Sequence, residues 1–277
     1  MKSAAFQYSR PETVAEAVAL LTAAEGSAMP ISGGQSLLIL MALRMTMIDR
    51  LVDISRLPDL RELRDDRSHV FIGASTTHAM IEDGKIPDPS TGLMSRVASK
   101  IAYRAIRNLG TIGGSMALAD PSADWPACLI ALDAEVSIAG PDGQRWEKAE
   151  DFVSGAYETI LLPGEILLGF RIARRQSMRW GTAKVSRKSG AFADSMAVFV
   201  EAAGDGLPRA ALTGTTSHAR ILPRVGKYAQ NRSILDPGDL RAAILDDLAE
   251  IVPDADAYQL RCHVATVSRA ITDARAS

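Results

Sequence analysis

The chain has 277 residues, 47% of them hydrophobic, and a formal net charge of -2. That length supports one large domain or two modest ones, and the near-neutral charge gives no electrostatic case for nucleic acid or a membrane surface. The longest apolar stretch, Leu37 to Leu43, stops at Arg44 and is far too short to span a bilayer.

The opening residues, Met1 to Phe6, lack the apolar core of a signal peptide, so the expectation is a cytoplasmic protein. Thr13 and Glu16 form a capping-box pattern ahead of Val14, Ala17, Val18 and Leu21 at helical spacing, with Gly26 as the stop. Ala28 to Ile31 reads as a short strand. It runs into Ser32-Gly33-Gly34-Gln35-Ser36, and Ser36 to Ala42 then reads as a short helix. Ile48 to Ile54 and His69 to Ala74 read as strands. This is a β–α–β opening with a glycine pair at the strand-to-helix turn, a common place for phosphate.

Leu93 to Ile106 carries one helical pattern, stopped by Asn108 and Gly110. A second glycine loop follows, Thr111-Ile112-Gly113-Gly114-Ser115. Trp125 to Leu132 is a short apolar helix in which Cys128 reads as a small buried hydrophobe. Ala134 to Ala139 and Ile166 to Ile172 are strands, entered or left through turns at Pro141-Asp142-Gly143 and Pro163-Gly164. Composition changes at Arg174-Arg175-Gln176-Ser177. Beyond it come strand-like runs at Thr182 to Arg187, Ser195 to Ala202 and Ala210 to Thr216. Helices follow near Asp239 to Ile251 and Ala257 to Ala274. The expected class is α+β, with one domain over residues 1–176 and a smaller C-terminal unit of antiparallel sheet plus helices over 177–277.

The chemistry sits in the glycine pairs. Glycine lets the backbone approach a ligand closely and turn its N–H groups toward it. Two such loops, each bordered by hydroxyl side chains, suggest a bridged pyrophosphate. The plainer reading is two ordinary turns. Gly34-Gln35-Ser36 lacks the lysine of a Walker loop, and no Gly-x-Gly-x-x-Gly opens a helix. Asp124 reads either as the N-cap of its helix or as an acceptor for ligand hydroxyls. Cys128 and Cys262 are too few for an iron–sulfur cluster or a structural zinc site. His69, His78, His218 and His263 lack metal-ligand spacing and read as surface or satisfied core histidines.

Arg107 to Ser115 followed by Ala119 to Asp124 resembles the FAD-binding medium subunit of molybdenum hydroxylases, the carbon monoxide dehydrogenase/xanthine dehydrogenase family. Ser32 to Leu37, with Arg44 downstream, resembles that family's first pyrophosphate loop. Gly164 to Leu168, Lys184 with Arg187-Lys188, and Ala257 to Arg261 extend the resemblance over nearly the whole chain. Three positions depart from the pattern. Ser32 stands where alanine is usual, Ser115 where asparagine or aspartate is common, and Ala191 where an aspartate is often found.

The resemblance implies noncovalent FAD on this chain, with no catalytic residue and no metal of its own. The cofactor-binding positions it implies are Ser32, Gly33, Gly34, Gln35, Ser36, Leu37, Thr111, Gly113, Gly114, Ser115, Asp124, Leu167 and Lys184. Backbone N–H groups of both glycine pairs would hold the pyrophosphate, and Ser36, Thr111 and Ser115 would add hydroxyls. Asp124 would meet the ribityl edge, Leu167 would pack on the ring, and Lys184 would lie near its polar end. The implied partners are a small subunit with [2Fe–2S] clusters and a large subunit with the molybdenum cofactor, as a dimer of heterotrimers. In that setting the chain passes electrons from the clusters to an external acceptor. The alternatives are a stand-alone flavin oxidase with its own substrate pocket and a non-catalytic nucleotide-binding scaffold.

Overall fold

The computed structural model describes residues 2–175, 177–202, 206–230 and 235–276. The expected division near Gln176 falls on a residue outside them.

The chain opens with β1 (Gln7–Ser9), α1 (Val14–Ala23), β2 (Ala28–Ile31), α2 (Leu37–Ala42) and β3 (Arg50–Asp53). Thr13 caps α1 by accepting the Glu16 N–H, and Glu16 reaches back to the Glu12 N–H, so the capping pattern closes one residue early. The three strands form a parallel sheet in the order β1-β3-β2. The first glycine pair therefore leaves the C-terminal end of that sheet, where ligands of open α/β sheets bind.

Next come β4 (Leu63–Asp65), β5 (His69–Gly73), α3 (His78–Glu82), α4 (Leu93–Ala98), α5 (Arg104–Arg107), α6 (Ile112–Leu118) and α7 (Asp124–Ala131). They are followed by β6 (Glu135–Gly140), β7 (Gly143–Lys148), α8 (Ala149–Phe152), β8 (Val153–Gly155), β9 (Glu158–Thr159) and β10 (Ile166–Ala173). An antiparallel sheet runs β4-β5-β10-β6-β7. The single helix expected from Leu93 to Ile106 is broken in two. Ala102 takes a left-handed φ of 43°, and its N–H leaves the helical ladder to bond Gly190 O. Arg107 then donates to the carbonyls of Ile101 and Ala102 and to both oxygens of Glu82, tying α5 to the break and to the end of α3.

The last part holds β11 (Met178–Val185), β12 (Ser195–Ala202), β13 (Arg209–Thr213), β14 (Arg220–Ile221), α9 (Pro223–Ala229), α10 (Pro237–Ile251) and α11 (Ala257–Ala276). Its four strands are antiparallel in chain order. Strand alternation divides β12 between two cores. Met196, Val198 and Val200 face the main core, shared with the first half of the chain, while Ala197 and Phe199 face the helices. Helix α11 lies directly on β11 at Gly181, where a Cβ would come within 2.0 Å of Ala270 O. The expected α+β class, with antiparallel sheet plus helices at the C-terminal end, is what the chain adopts. Among the described residues, no helix is long and apolar enough to cross a membrane.

Candidate functional site

The segment after β2 carries a row of backbone donors with nothing to bind. The N–H groups of Gly33, Gly34, Gln35 and Ser36 donate to no described group, although these residues are half-buried. Gly34 takes a φ of +68°, and the Gln35 amide folds back on Gly33 O at 2.9 Å. Ser36 precedes α2, and its hydroxyl makes no capping bond. Leu37 packs its side chain against the small cluster of Met41, Ile48 and Leu51. Partly buried amides without partners are costly unless something accepts from them. Such a row suits an anionic oxygen.

The second glycine pair behaves differently from expectation. It is the first turn of α6, with Thr111 as N-cap. The Gly113 N–H is bonded to Ala74 O at 2.9 Å and the Ser115 N–H to Thr111 O at 3.0 Å, and the Gly114 N–H to Thr111 Oγ1 at 3.1 Å. In this geometry the amides of Gly113 and Gly114 are therefore engaged within the chain. What Gly113 supplies is room, because a Cβ there would lie 2.4 Å from Ala74 Cβ. Ser115 is half-buried, and its hydroxyl has no partner among the described groups.

The two glycine segments touch. A Cβ on Gly33 would fall 2.2 Å from Leu109 O and 2.9 Å from Gly110 Cα. A third segment, Ala74–Thr77 between β5 and α3, joins them. Thr76 O accepts from Ile112 N, Thr77 bridges to Thr111, and Gly110 O accepts from His78 N. Sequence reading passed over this segment, although its hydroxyl run Ser75-Thr76-Thr77 straight after a strand was the available signal.

Asp124 is the first residue of α7, and Ala123 occupies the cap position, so the N-cap reading of Asp124 does not hold. Its carboxylate is met by Lys184 Nζ at 2.7 and 3.0 Å. Both side chains are almost wholly buried. Burial pushes the Asp124 carboxyl up, and the Lys184 ammonium pulls it back. Leu167 sits in β10 opposite Ile138, 4% exposed in the main core. Its neighbour Leu168 is the residue that reaches the third segment, through its carbonyl to Ala74 N at 2.8 Å. His78, beside Gly110, accepts the Trp125 indole N–H on Nδ1 at 3.0 Å and stacks on that ring. Burial lowers its pKa to about 4, so it is a neutral, satisfied core histidine. A polar hollow lined by Gln7, Ala24, Glu25, Asp49 and Arg50 lies at the opposite, N-terminal end of the parallel sheet and has no unpaired amide row.

A half-buried row of free amides at the C-terminal end of a parallel sheet, closed by glycine contact against a second segment, fits a pyrophosphate-bearing cofactor. The class this defines is a protein that binds a dinucleotide-type cofactor. Residues 4–174 match the family described as the FAD binding domain in molybdopterin dehydrogenase. The chain is 33% identical over 278 residues to the carbon monoxide dehydrogenase medium chain of Hydrogenophaga pseudoflava, covering 97% of this chain and 96% of that one. It is 35% identical to the nicotine 6-hydroxylase medium subunit of Paenarthrobacter nicotinovorans, over 69% of this chain and 66% of the other. A solved carbon monoxide dehydrogenase from Hydrogenophaga pseudoflava, one lacking the Mo-pyranopterin moiety of the molybdenum cofactor, superposes with a TM-score of 0.93. It does so at 32% identity, over 100% of this chain and 99% of that one. The chain belongs to the FAD-binding medium-subunit family of the molybdenum hydroxylases, a family of oxidoreductases.

Proposed function

We propose that this chain binds one FAD noncovalently and serves as the electron-passing medium subunit of a molybdenum hydroxylase complex. The observation that carries the reading is the row of unpaired amides from Gly33 to Ser36, closed against Leu109–Gly110. Those amides and the Ser36 hydroxyl would hold the pyrophosphate. The α6 start would close the other side, with Thr111, Gly113 and Gly114 shaping the backbone and Ser115 offering its hydroxyl. Leu37 anchors the first loop to the core. Asp124 and Lys184, paired with each other, would set the wall beside the ribityl chain, and the β10 backbone at Leu167–Leu168 would back the flavin. Bound FAD supplies electron acceptance and transfer. The chain's own residues bind it, orient it and limit water around it. Residues 1–176 would form the FAD-binding domain, with 177–277 as the smaller unit packed beside it.

The partners would be a small subunit with [2Fe–2S] clusters and a large subunit with the molybdenum cofactor, assembled in the cytoplasm as a dimer of heterotrimers. Leu38, Ile39, Leu43, Met45 and Met47 stand exposed just beyond the first glycine segment. Several exposed apolar side chains within one short stretch favour a subunit over a stand-alone oxidase. Co-expression with subunits of the two partner types tests this. The reading expects a complex of three kinds of chain with twice the mass of one heterotrimer, and a lone chain that holds FAD without oxidising any organic substrate. A lone chain whose flavin is reduced by a substrate at a catalytic rate would replace the subunit reading with the stand-alone oxidase.

A further inference from the structure

Ser75 belongs to neither glycine pair, yet its hydroxyl is tied to the first segment directly and to the second through Ser32. It is 7% exposed, and its Oγ lies 3.1 Å from Ser32 Oγ. The Thr111 hydroxyl donates to the same Ser32 oxygen at 3.4 Å, while Thr111 Oγ1 accepts the Gly114 N–H. Three hydroxyls from three separate segments thus form one chain that starts at a backbone amide of α6.

Counting hydrogens shows what this chain leaves over. Each hydroxyl carries one hydrogen and two lone pairs. The Thr111 hydrogen goes to Ser32. One further hydrogen is used between Ser32 and Ser75. One remains, on Ser75 if Ser32 is the donor and on Ser32 if Ser75 is. No described group accepts it. Chained hydroxyls polarise one another, so a terminal donor of this kind is well suited to an anionic acceptor.

We propose that Ser75 is a positioning residue of the cofactor site. Through Ser32 and Thr111 it locks the two glycine segments at the spacing the pyrophosphate requires, and it keeps one hydroxyl hydrogen ready for a phosphate oxygen. The inference rests on the FAD reading above. A cradle already held in its binding shape loses less freedom when the ligand arrives, and that lowers the rate at which the ligand leaves.

The test compares Ser75→Ala, Ser32→Ala and the double variant with the unaltered chain, each loaded with FAD. Two quantities are read: FAD release by recovery of free-flavin fluorescence on dilution, and thermal melting of the FAD-free chain. The expected result is release faster by roughly two- to tenfold in each single variant, the span of one net hydrogen bond. The double variant should release no faster than the worse single one, because the chain acts as a unit, and FAD-free melting should stay near that of the unaltered chain. Should Ser75→Ala fail to fold, Ser75→Cys, isosteric and a weak donor, is expected to speed release in the same direction. Unchanged release in both Ser75 variants overturns the inference, and so do effects that multiply in the double variant. Lower melting of the FAD-free chain with unchanged release overturns it in favour of a purely structural role. If the unaltered chain holds no FAD at all, the flavin reading itself fails and the inference falls with it.

Discussion

Replacing Gly33 with alanine adds a single methyl group where two cofactor segments meet. The backbone at Gly33 does not have positive φ, so alanine brings no conformational strain and the effect is purely steric. The new Cβ would lie 2.2 Å from Leu109 O and 2.8 Å from Leu109 C, both backbone atoms that cannot rotate away, whereas real Cβ contacts stay above 3.0 Å. The segments must therefore separate by at least the difference, 3.0 − 2.2 = 0.8 Å. Overpacking of this kind costs about 1–3 kcal/mol. In a chain of this size that lowers the melting temperature by roughly 2–6 °C. The same shift carries an amide at a bonding distance of ~2.9 Å out to ~3.7 Å from a phosphate oxygen, beyond hydrogen-bond range. One lost bond to a charged acceptor is worth about 1.5–3 kcal/mol, so FAD affinity should fall roughly 10- to 150-fold. Gly114→Ala is the comparator. Its Cβ meets Thr111 Oγ1 alone, at 2.9 Å, and alanine is the better helix former, so stability should change little and affinity less than at Gly33. Fluorescence titration with FAD and thermal melting read both quantities. Gly33→Ala with unaltered affinity and melting would refute the contact between the two segments.

Other outcomes follow from the buried charges. Lys184→Met strips the counter-charge from Asp124, whose carboxyl burial already pushes up. A carboxyl with a raised folded-state pKa stabilises most in its protonated form, so stability should fall as pH rises through that value. The loss should reach about 3 kcal/mol at pH 8 and be smaller at pH 5; a melting deficit independent of pH would contradict this. His78 titrates at about 4 in the fold against an ordinary 6.5 because it is buried. Its contribution is fully present above pH 6.5 and is lost as pH falls toward 4, to a maximum of about 3 kcal/mol. His78→Gln should flatten that part of the melting-versus-pH curve, and an unchanged slope would show that another group titrates there. Arg107→Lys keeps the charge but cannot span both Glu82 oxygens and the carbonyls of Ile101 and Ala102. It should cost about 2 kcal/mol in melting experiments, within the range for a buried hydrogen-bonded charge.

What was legible in the sequence was local. Thr13 with Glu16, the strand Ala28–Ile31 and the turn into α2 are set by neighbours a few residues apart, and each appears where its pattern placed it. The first glycine pair also showed itself, since serines flank it on both sides of a strand-to-helix turn. The second misled. Paired glycines disfavour helix, yet Thr111 caps them into one because the Gly113 amide finds Ala74 O, in the segment just after β5. The break at Ala102 comes from a hydrogen bond to Gly190, far along the chain, so no local period could register it. The same holds for Asp124 with Lys184 and for the hydroxyl chain through Ser75. Helix α9 went unseen because its seven residues show too little period to stand out.

The most direct test is to purify the chain, precipitate it with acid and identify the released flavin by chromatography. The account predicts FAD, fully released, at one per chain. A chain that folds yet releases FMN, keeps its flavin on the precipitated protein, or takes up none when incubated with FAD would contradict it.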